Sequence, residues 1–396
     1  METLRARIQK RAESIFEDIR NLRRHFHTFP ELSGDEHQTS AYICRLLDQW
    51  KIPYRSGIAE TGIVAALQGR KTGNQCIALR ADMDALPVEE ATGLEFQSRI
   101  SGVMHACGHD MHMASLLGTL LIMSEMTEEF GGTLKCFFQP SEEKYPGGAI
   151  QMIQAGVLNN PSVDGIFGQH VYPDLPAGKV GFRTGKYMAS TDEIYITVKG
   201  RGGHAASPQQ NIDPVVAGAH VVAALQQIVS RKANPAMPTV LSFGRFIANG
   251  RTNIIPDEAR LEGTLRTFDE EWRMEAHRLI TQIAKSSCEA YGAACEVFID
   301  RGYPYLENHP ELTARAMQYA KDFLGDTNVV DLDLRMTAED FAYFAQKVPG
   351  CFYRLGTAVP GGSFTPLHSP RFMADEESLV TGSGLMAYLA LQELTR

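Results

Sequence analysis

Short apolar runs alternate with helix-like segments over the first half of the chain. The runs GIVAALQG, CIALRADMDALP, GTLKCFFQPSEE and DGIFGQHVYP are typical of strands, whereas HMASLLGTLLIMSEM and GGAIQMIQAGVL are typical of helices. Such alternation favours an α/β layer built on a mostly parallel sheet.

The pattern changes near Met188. The run TDEIYITVKG alternates with the period of a strand, and the helical pattern IDPVVAGAHVVAALQQIVSR follows, with Asp213 as N-cap and Pro214 at the first helical position. Two strand-like runs, a second helix and the strand CEVFIDRGY complete a β-α-β-β-α-β order, which is typical of ferredoxin-like domains. We therefore predict an inserted α+β domain at 188–300 and a discontinuous α/β domain formed by 1–187 and 301–396.

Composition narrows the class of protein. A chain of 396 residues with 44% hydrophobic residues is long enough for two cores. The net charge of -9 argues against nucleic acid or an anionic membrane as the main partner. The charged amino terminus has the apolar spacing of a surface helix and lacks the pattern of a signal peptide. No apolar run has the length of a membrane span. Seven scattered cysteines favour a reducing cytoplasm over a disulfide framework.

Several apolar strands lead directly into polar residues that carry chemistry. CIAL leads into RADMD, LKCFF into QPSEE and GIFG into QHV, while FYRLG leads through a glycine-rich loop to PLHSP. Ligands bind beyond the carboxyl ends of the strands in open parallel sheets. We expect these side chains to meet at one sheet edge: Asp82, Asp84, Glu142, Glu143, His170 and His368.

The stretch MHACGHDMH permits three interpretations. Because Gly108 disfavours a continuous helix, we predict a loop that ends near His109 or Asp110, after which the helix starts. Cys107 and His109 are then able to reach one metal ion. Cys107 with a nearby histidine is alternatively a nucleophile and its base, or a small buried cysteine beside a helix-capping aspartate. Chelation distinguishes a metalloenzyme from a cysteine hydrolase.

The remaining polar residues have weaker local signals. Of the adjacent pair Glu142 and Glu143, one carboxylate can bind metal while the other acts as general base, although exposed acidic pairs are common. The segment GRGGHAA lacks the phosphate-loop pattern. His204 in it either reaches the active site from a flexible turn or is incidental to a tight turn, and the sequence favours neither. Arg266 and Asn253 lie beside strand-like runs of the inserted domain. An arginine there suits a carboxylate, but a surface salt bridge explains it equally well.

Six segments together resemble a known family. RHFHTFPELSGDEHQT, RADMDALPVEE, MHACGHDMHMA, FQPSEE, GRGGHAASP and TPLHSP are similar, in order, to metal-dependent amidohydrolases of the aminoacylase and carboxypeptidase superfamily. The similar branch includes hippurate hydrolases, N-acetyl-diaminopimelate deacetylases and indoleacetyl-amino-acid hydrolases. The resemblance implies a zinc-peptidase-like catalytic domain and an inserted ferredoxin-like lid that forms a homodimer.

The resemblance also implies roles for individual residues. Glu142 would be the general base, His204 would stabilise the oxyanion, and Asp84 would orient a ligand without binding metal itself. Asn253 and Arg266 would hold the substrate carboxylate. Two divalent ions, from zinc, manganese, cobalt or nickel, would bind to five ligands: Cys107, His109, Glu143, His170 and His368.

The implied reaction is hydrolysis of the amide bond of an N-acyl amino acid in the cytoplasm, releasing a carboxylate and a free amino acid. The alternative is a dipeptidase or carboxypeptidase that uses the same two-metal site. A panel of N-acyl amino acids and dipeptides distinguishes these possibilities.

Overall fold

The structure, a computed structural model, describes residues 3–359, 361 and 365–396. Most of the glycine-rich loop predicted before TPLHSP therefore lies outside the described residues. The chain divides into two compact units. The first comprises Met1–Tyr187, Glu307–Leu334 and Asp340–Arg396, and the second comprises Met188–Leu306 and Arg335–Glu339.

Helices and strands alternate through most of the described chain. The α-helices are α1 Leu4–Ser14, α2 Phe16–Thr28, α3 His37–Trp50, α4 His109–Ser124, α5 Gly148–Gln154, α6 Pro214–Gln227, α7 Glu270–Glu289, α8 Pro310–Leu324, α9 Ala342–Ala345 and α10 Ser378–Leu394. The strands are β1 Tyr54–Ile58, β2 Gly62–Gln68, β3 Lys71–Asp82, β4 Gly131–Gln139, β5 Gly165–Pro176, β6 Val180–Phe182, β7 Gly185–Met188, β8 Asp192–Lys199, β9 Gly203–His204, β10 Val240–Ile247, β11 Ile254–Ile255, β12 Glu258–Arg266, β13 Ala294–Arg301, β14 Leu306–Asn308, β15 Val329–Asp331 and β16 Gly350–Ala358.

The first unit is built on a mixed sheet with the order β1-β2-β4-β3-β5-β16-β6-β15. Its central strands β4, β3, β5 and β16 are parallel, as predicted, whereas β1-β2, β2-β4 and β16-β6 pair antiparallel. Strands β3 and β4 lose all solvent contact towards their carboxyl ends, and the helix α4 is buried on nearly every side. A parallel sheet buried on both faces requires such continuous apolar runs.

The second unit contains an antiparallel sheet with the order β10-β12-β8-β13. Residues of β8 alternate between buried and more exposed positions, and its inward side chains share a core with α6 and α7. The prediction for the start of α6 is confirmed, because Asp213 accepts hydrogen bonds from the amides of Val215 and Val216, and Pro214 opens the helix. In the described residues, no helix is both long enough and apolar enough to cross a membrane.

Two elements differ from the sequence expectation. The amino-terminal segment forms two helices that meet at Ile15, and α2 buries Arg23 and His27. Strand β5 extends beyond the predicted run DGIFGQHVYP to Pro176, because its later residues pair with the end of β16. His170 therefore projects from within a strand, where its backbone is held more firmly than at a strand end.

Candidate metal centre

The candidate site lies where the central parallel strands of the first unit lead into their loops. Asp82 at the end of β3 is in register with Gln139 at the end of β4. The chain after β4 carries Glu142 and Glu143, and β5 carries His170. The sheet thus brings residues that are distant in sequence to one edge, as the strand pattern predicted.

The conformation of Gly108 places Cys107 and His109. Gly108 has a φ of 80° and precedes the first residue of α4. The loop therefore ends at Gly108, one or two residues before the predicted boundary near His109 or Asp110. A Cβ atom at this position would lie 2.5 Å from the Val171 side chain. Glycine meets both requirements, because it tolerates positive φ and lacks a side chain.

The site contains overlapping groups of ligand atoms. The ligand atoms of Cys107, His109 and His170 lie within 4.8 Å of one another, and so do those of Cys107, Glu143 and His368. The Cys107 Sγ is 3.4 Å from the His170 Nε2, and the His368 Nε2 is 3.4 Å from the Glu143 Oε1. Cys107 belongs to both groups, which contain all five predicted ligands.

Unpaired buried atoms test whether these residues fit a metal. The Nε2 atom of His109 and the Oε1 atom of Glu143 are buried and have no hydrogen-bond partner among the described residues. Buried polar atoms without partners are costly unless another group satisfies them. Thiolate, imidazole and carboxylate are the ligands that zinc and other late divalent metals take. The residues therefore fit a divalent metal centre.

Neighbouring groups orient these side chains. Asp84 Oδ1 is 3.3 Å from the His109 Nδ1, and its Oδ2 accepts hydrogen bonds from Ser33 Oγ and the Glu143 amide. The His170 Nδ1 lies 2.8 Å from the Val171 carbonyl oxygen. Donation from Nδ1 to that carbonyl leaves Nε2 with a free lone pair on the side of Cys107.

His112 shares the histidine-rich stretch, yet protein contacts occupy both of its ring nitrogens. Its Nδ1 is 2.6 Å from the Asp82 Oδ1, and its Nε2 accepts a hydrogen bond from the Val171 amide at 2.9 Å. Asp82 is also paired with Arg80, two residues earlier on the same face of β3. Sequence reasoning missed this pair, although the two-residue spacing was available as a signal.

The charges around Cys107 oppose a thiolate in the metal-free protein. Burial and the carboxylates of Glu143, Glu142 and Asp82 raise the pKa of the Cys107 thiol well above its ordinary value. Catalytic cysteines need the opposite environment, in which positive charge lowers the pKa. The acidic surroundings thus favour a metal ligand over the alternative of a cysteine nucleophile, because a bound cation stabilises the thiolate.

The carboxylates around His109 also favour positive charge at this position. Burial lowers the pKa of His109, but the nearby carboxylates of Asp82 and Asp84 outweigh that effect and raise it to about 10. The metal-free site therefore holds this buried ring as a cation, with a second ring proton. A metal ion that binds to His109 replaces that proton.

The other predicted site residues lie in the second unit. His204 in β9 pairs with Ile254 in β11, and its Nδ1 accepts a hydrogen bond from the Ala206 amide at 3.1 Å. The Asn253 carbonyl accepts a hydrogen bond from the Ala205 amide, which holds the two segments together. Arg266 ends β12, is partly buried and makes no ion pair with a carboxylate of the described residues.

Comparison with known proteins identifies the family. The sequence model of peptidase family M20/M25/M40 matches residues 78–392. An N-acyl-L-amino acid amidohydrolase of Geobacillus stearothermophilus is 41% identical over 77% of this chain and 81% of its own. Thermostable carboxypeptidase 1 of Saccharolobus solfataricus is 39% identical over 94% of this chain and 95% of its own. A Bacillus subtilis crystal structure, the dinuclear metal-binding M20 peptidase YXEP, has a TM-score of 0.82 and 35% identity, covering 96% of this chain and 99% of that one.

The chain belongs to peptidase family M20/M25/M40. The resemblance drawn from its motifs is thereby confirmed, and so is the predicted class of enzyme, a metal-dependent amidohydrolase. The potential ligand groups and the dinuclear relative support a centre for divalent metal ions.

Proposed function

We propose that this protein hydrolyses the amide bond of N-acyl amino acids at the centre around Cys107. The overlap of two ligand groups at Cys107, with Glu142 beside them, is the observation that carries this proposal. The ligand atoms of His109, Glu142 and Glu143 also lie within 4.8 Å of one another, so a second carboxylate adjoins the ligands. The named amidohydrolase relative supports the same substrate class.

Each residue of the centre then has a role. Two divalent ions would be held by the five predicted ligands, Cys107, His109, Glu143, His170 and His368. When bound, these ions would activate water and polarise the substrate carbonyl. Glu142 is buried and adjoins the ligands, so its carboxylate would accept the proton of the attacking water. It would then return that proton to the leaving amine, giving a carboxylate and a free amino acid. Asp84 would hold the ring of His109.

Residues of the second unit would bind the substrate. Because the His204 Nδ1 accepts a hydrogen bond, a neutral ring carries its proton on Nε2 and offers a donor to the developing oxyanion. Arg266 would bind the substrate carboxylate with its planar guanidinium, and Asn253 would assist. The lack of an ion-pair partner for Arg266 among the described residues favours this role over a surface salt bridge.

The same proposal assigns roles to the two parts of the chain. Residues 1–187 and 301–396 would form the catalytic domain, and 188–300 a lid that joins two copies in a homodimer. The order β10-β12-β8-β13, with α6 and α7 on one face, supports a ferredoxin-like fold for this insertion. The free state of all seven cysteines is consistent with a cytoplasmic enzyme.

A carboxypeptidase or dipeptidase is the second candidate. The carboxypeptidase relative supports it, and a free carboxylate next to the cleaved bond is common to both substrate classes. The centre alone treats an acyl amide and a peptide bond alike, because both present the same carbonyl to the water.

The test compares N-acyl amino acids with dipeptides after chelation, with zinc, manganese, cobalt and nickel restored singly. We expect activity to vanish on chelation, to return with metal and to be higher on the acyl substrates. Glu142→Gln provides the matched variant, since it should retain bound metal and lose turnover. Activity that survives chelation would refute the metal mechanism, and a preference for dipeptides would establish the second candidate.

A further inference from the structure

We propose that Glu36 is a positioning residue, which holds the turn that carries Glu142 and Glu143. The proposal rests on the function proposed above, because it assigns Glu36 an effect on the general base. Glu36 lies in the segment PELSGDEHQT, far from the centre in sequence, and contacts none of the proposed ligands in the structure.

The turn after β4 has an unfavourable backbone conformation. Ser141 has a φ of 53°, in the left-handed region that a residue with a side chain rarely adopts. Its carbonyl accepts a hydrogen bond from the Gly148 amide at 3.0 Å. At Gly148, a Cβ atom would lie 1.8 Å from the Pro140 carbonyl oxygen, so the turn closes tightly. Such a conformation persists only where its surroundings hold it.

Two buried carboxylates hold this turn on either side of Glu142. The Glu36 Oε1 accepts a hydrogen bond from the Ser141 amide at 2.8 Å, and the Asp84 Oδ2 accepts one from the Glu143 amide at 2.8 Å. The backbone N–H groups of the residues before and after Glu142 are therefore fixed by side chains from other segments. Their common effect is to set the direction in which the Glu142 carboxylate projects.

Glu36 is itself held in place. Its side chain is fully buried, and its Oε2 accepts a hydrogen bond from the Thr61 Oγ1 at 2.8 Å. It has no ion pair with a cation of the described residues. A buried carboxylate without a cation is costly, so hydrogen bonds to fixed donors must offset its desolvation. A carboxylate retained under that cost points to a specific task.

The chain offers a matched control in the same segment. Glu31 accepts hydrogen bonds from the amides of Gln38 and Thr39, at 3.0 and 2.7 Å, where α3 begins. Its carboxylate therefore accepts hydrogen bonds from backbone amides, as that of Glu36 does, but at a different place in the backbone. Glu31 is half-buried rather than fully buried, so it controls for the loss of a carboxylate that accepts backbone hydrogen bonds. That loss in general would affect both positions, whereas faster exchange in the turn would follow only from the change at Glu36.

The experiment compares Glu36→Met, Glu36→Gln and Glu31→Met. Methionine preserves volume but removes the acceptor, whereas glutamine retains an oxygen for the Ser141 amide and can donate to Thr61. Hydrogen exchange of the metal-free protein, followed by mass spectrometry, measures protection of residues 140–148. The number of bound metal ions, kcat and KM on an N-acyl amino acid are measured on the metal-loaded protein.

For Glu36→Met we expect at least about tenfold faster exchange in residues 140–148 and a kcat lower by about 10–100-fold. KM should change by less than about twofold, because the substrate carboxylate is bound elsewhere. Glu36→Gln should restore most of the kcat. Glu31→Met should accelerate exchange only at the start of α3 and leave the kcat unchanged.

Unchanged exchange in residues 140–148 for Glu36→Met would overturn the inference, and so would faster exchange with an unchanged kcat. If Glu36→Met fails to fold, Thr61→Val removes only the hydroxyl that donates to the Glu36 Oε2 and should still accelerate exchange in the turn. Failure of the wild-type protein to hydrolyse any substrate would refute the proposed function instead, while the exchange result still decides whether Glu36 holds the turn.

Discussion

Replacement of Asp84 by asparagine tests whether a buried carboxylate tunes the candidate metal centre. Asp84 is buried and contacts three groups, the His109 ring, the Ser33 hydroxyl and the Glu143 amide. Asparagine has the same shape but only one acceptor oxygen. If that oxygen faces the Glu143 amide, the new NH₂ group faces the His109 Nδ1 and favours the tautomer whose Nε2 carries a proton. That proton would block metal binding at Nε2.

The opposite orientation of the asparagine also has a cost. The NH₂ group then faces the Glu143 amide, which loses its acceptor at about 1–3 kcal/mol. Loss of a group that orients a metal ligand typically weakens metal affinity by about 10–100-fold, or about 1.4–2.8 kcal/mol. Asp84 also stabilises the protonated His109 of the metal-free state, so part of the loss cancels. We therefore expect a decrease near tenfold.

Competition with a chromophoric zinc chelator measures this affinity. The matched control is Asp164→Asn, because Asp164 is an exposed carboxylate that also accepts a backbone hydrogen bond, from the Cys76 amide at 2.8 Å. We expect the control to change the affinity by less than about twofold. An Asp84→Asn protein that folds and binds zinc as tightly as the wild type would refute the reasoning.

Three further predictions concern the second unit. Arg266→Met should raise KM for N-acyl amino acids at least about tenfold with little change in kcat, because the substitution removes an interaction made equally in the ground and transition states. A variant with the same KM as the wild type would contradict the proposed role of Arg266. His204→Ala should lower kcat about 10²–10³-fold while the metal content stays unchanged, as expected for one lost oxyanion donor. Asp192→Asn should destabilise this unit by about 3 kcal/mol, because Arg273 stays buried and, among the described residues, keeps only Glu270 as a carboxylate partner. Urea unfolding followed by Trp272 fluorescence, with Trp50 changed to Phe, measures that loss, and an unchanged midpoint would refute it.

The pKa of Asp192 also predicts how this stability depends on pH. Although burial raises it, hydrogen bonds from His277 and Arg273 lower the pKa of Asp192 below its ordinary value of 3.8 in the folded state. A depressed folded pKa contributes stability above the unfolded value, and that stability is lost as the pH falls through the folded value. The effect of Asp192→Asn should therefore shrink below pH 3.8.

The sequence by itself predicted the elements and the family. Strand periodicity and the helix-start signal at Asp213 and Pro214 are local properties, because side-chain alternation and capping involve neighbours in the chain. The order of strands indicated which residues meet at the sheet edge, and the structure places Cys107, His109 and His170 together there. The catalytic and ligand roles of these residues stay predictions.

Only the tertiary structure distinguished residues with the same local signal. His109 and His112 lie three residues apart on α4, yet His112 has both nitrogens occupied while the Nε2 of His109 has no hydrogen-bond partner among the described residues. Arg23 gave only a surface-helix signal, but it is buried against Asp110. Glu36 likewise gave no signal of its contact with Ser141. Ion pairs and hydrogen bonds between segments that are distant in sequence made these distinctions, and local patterns do not encode such partners.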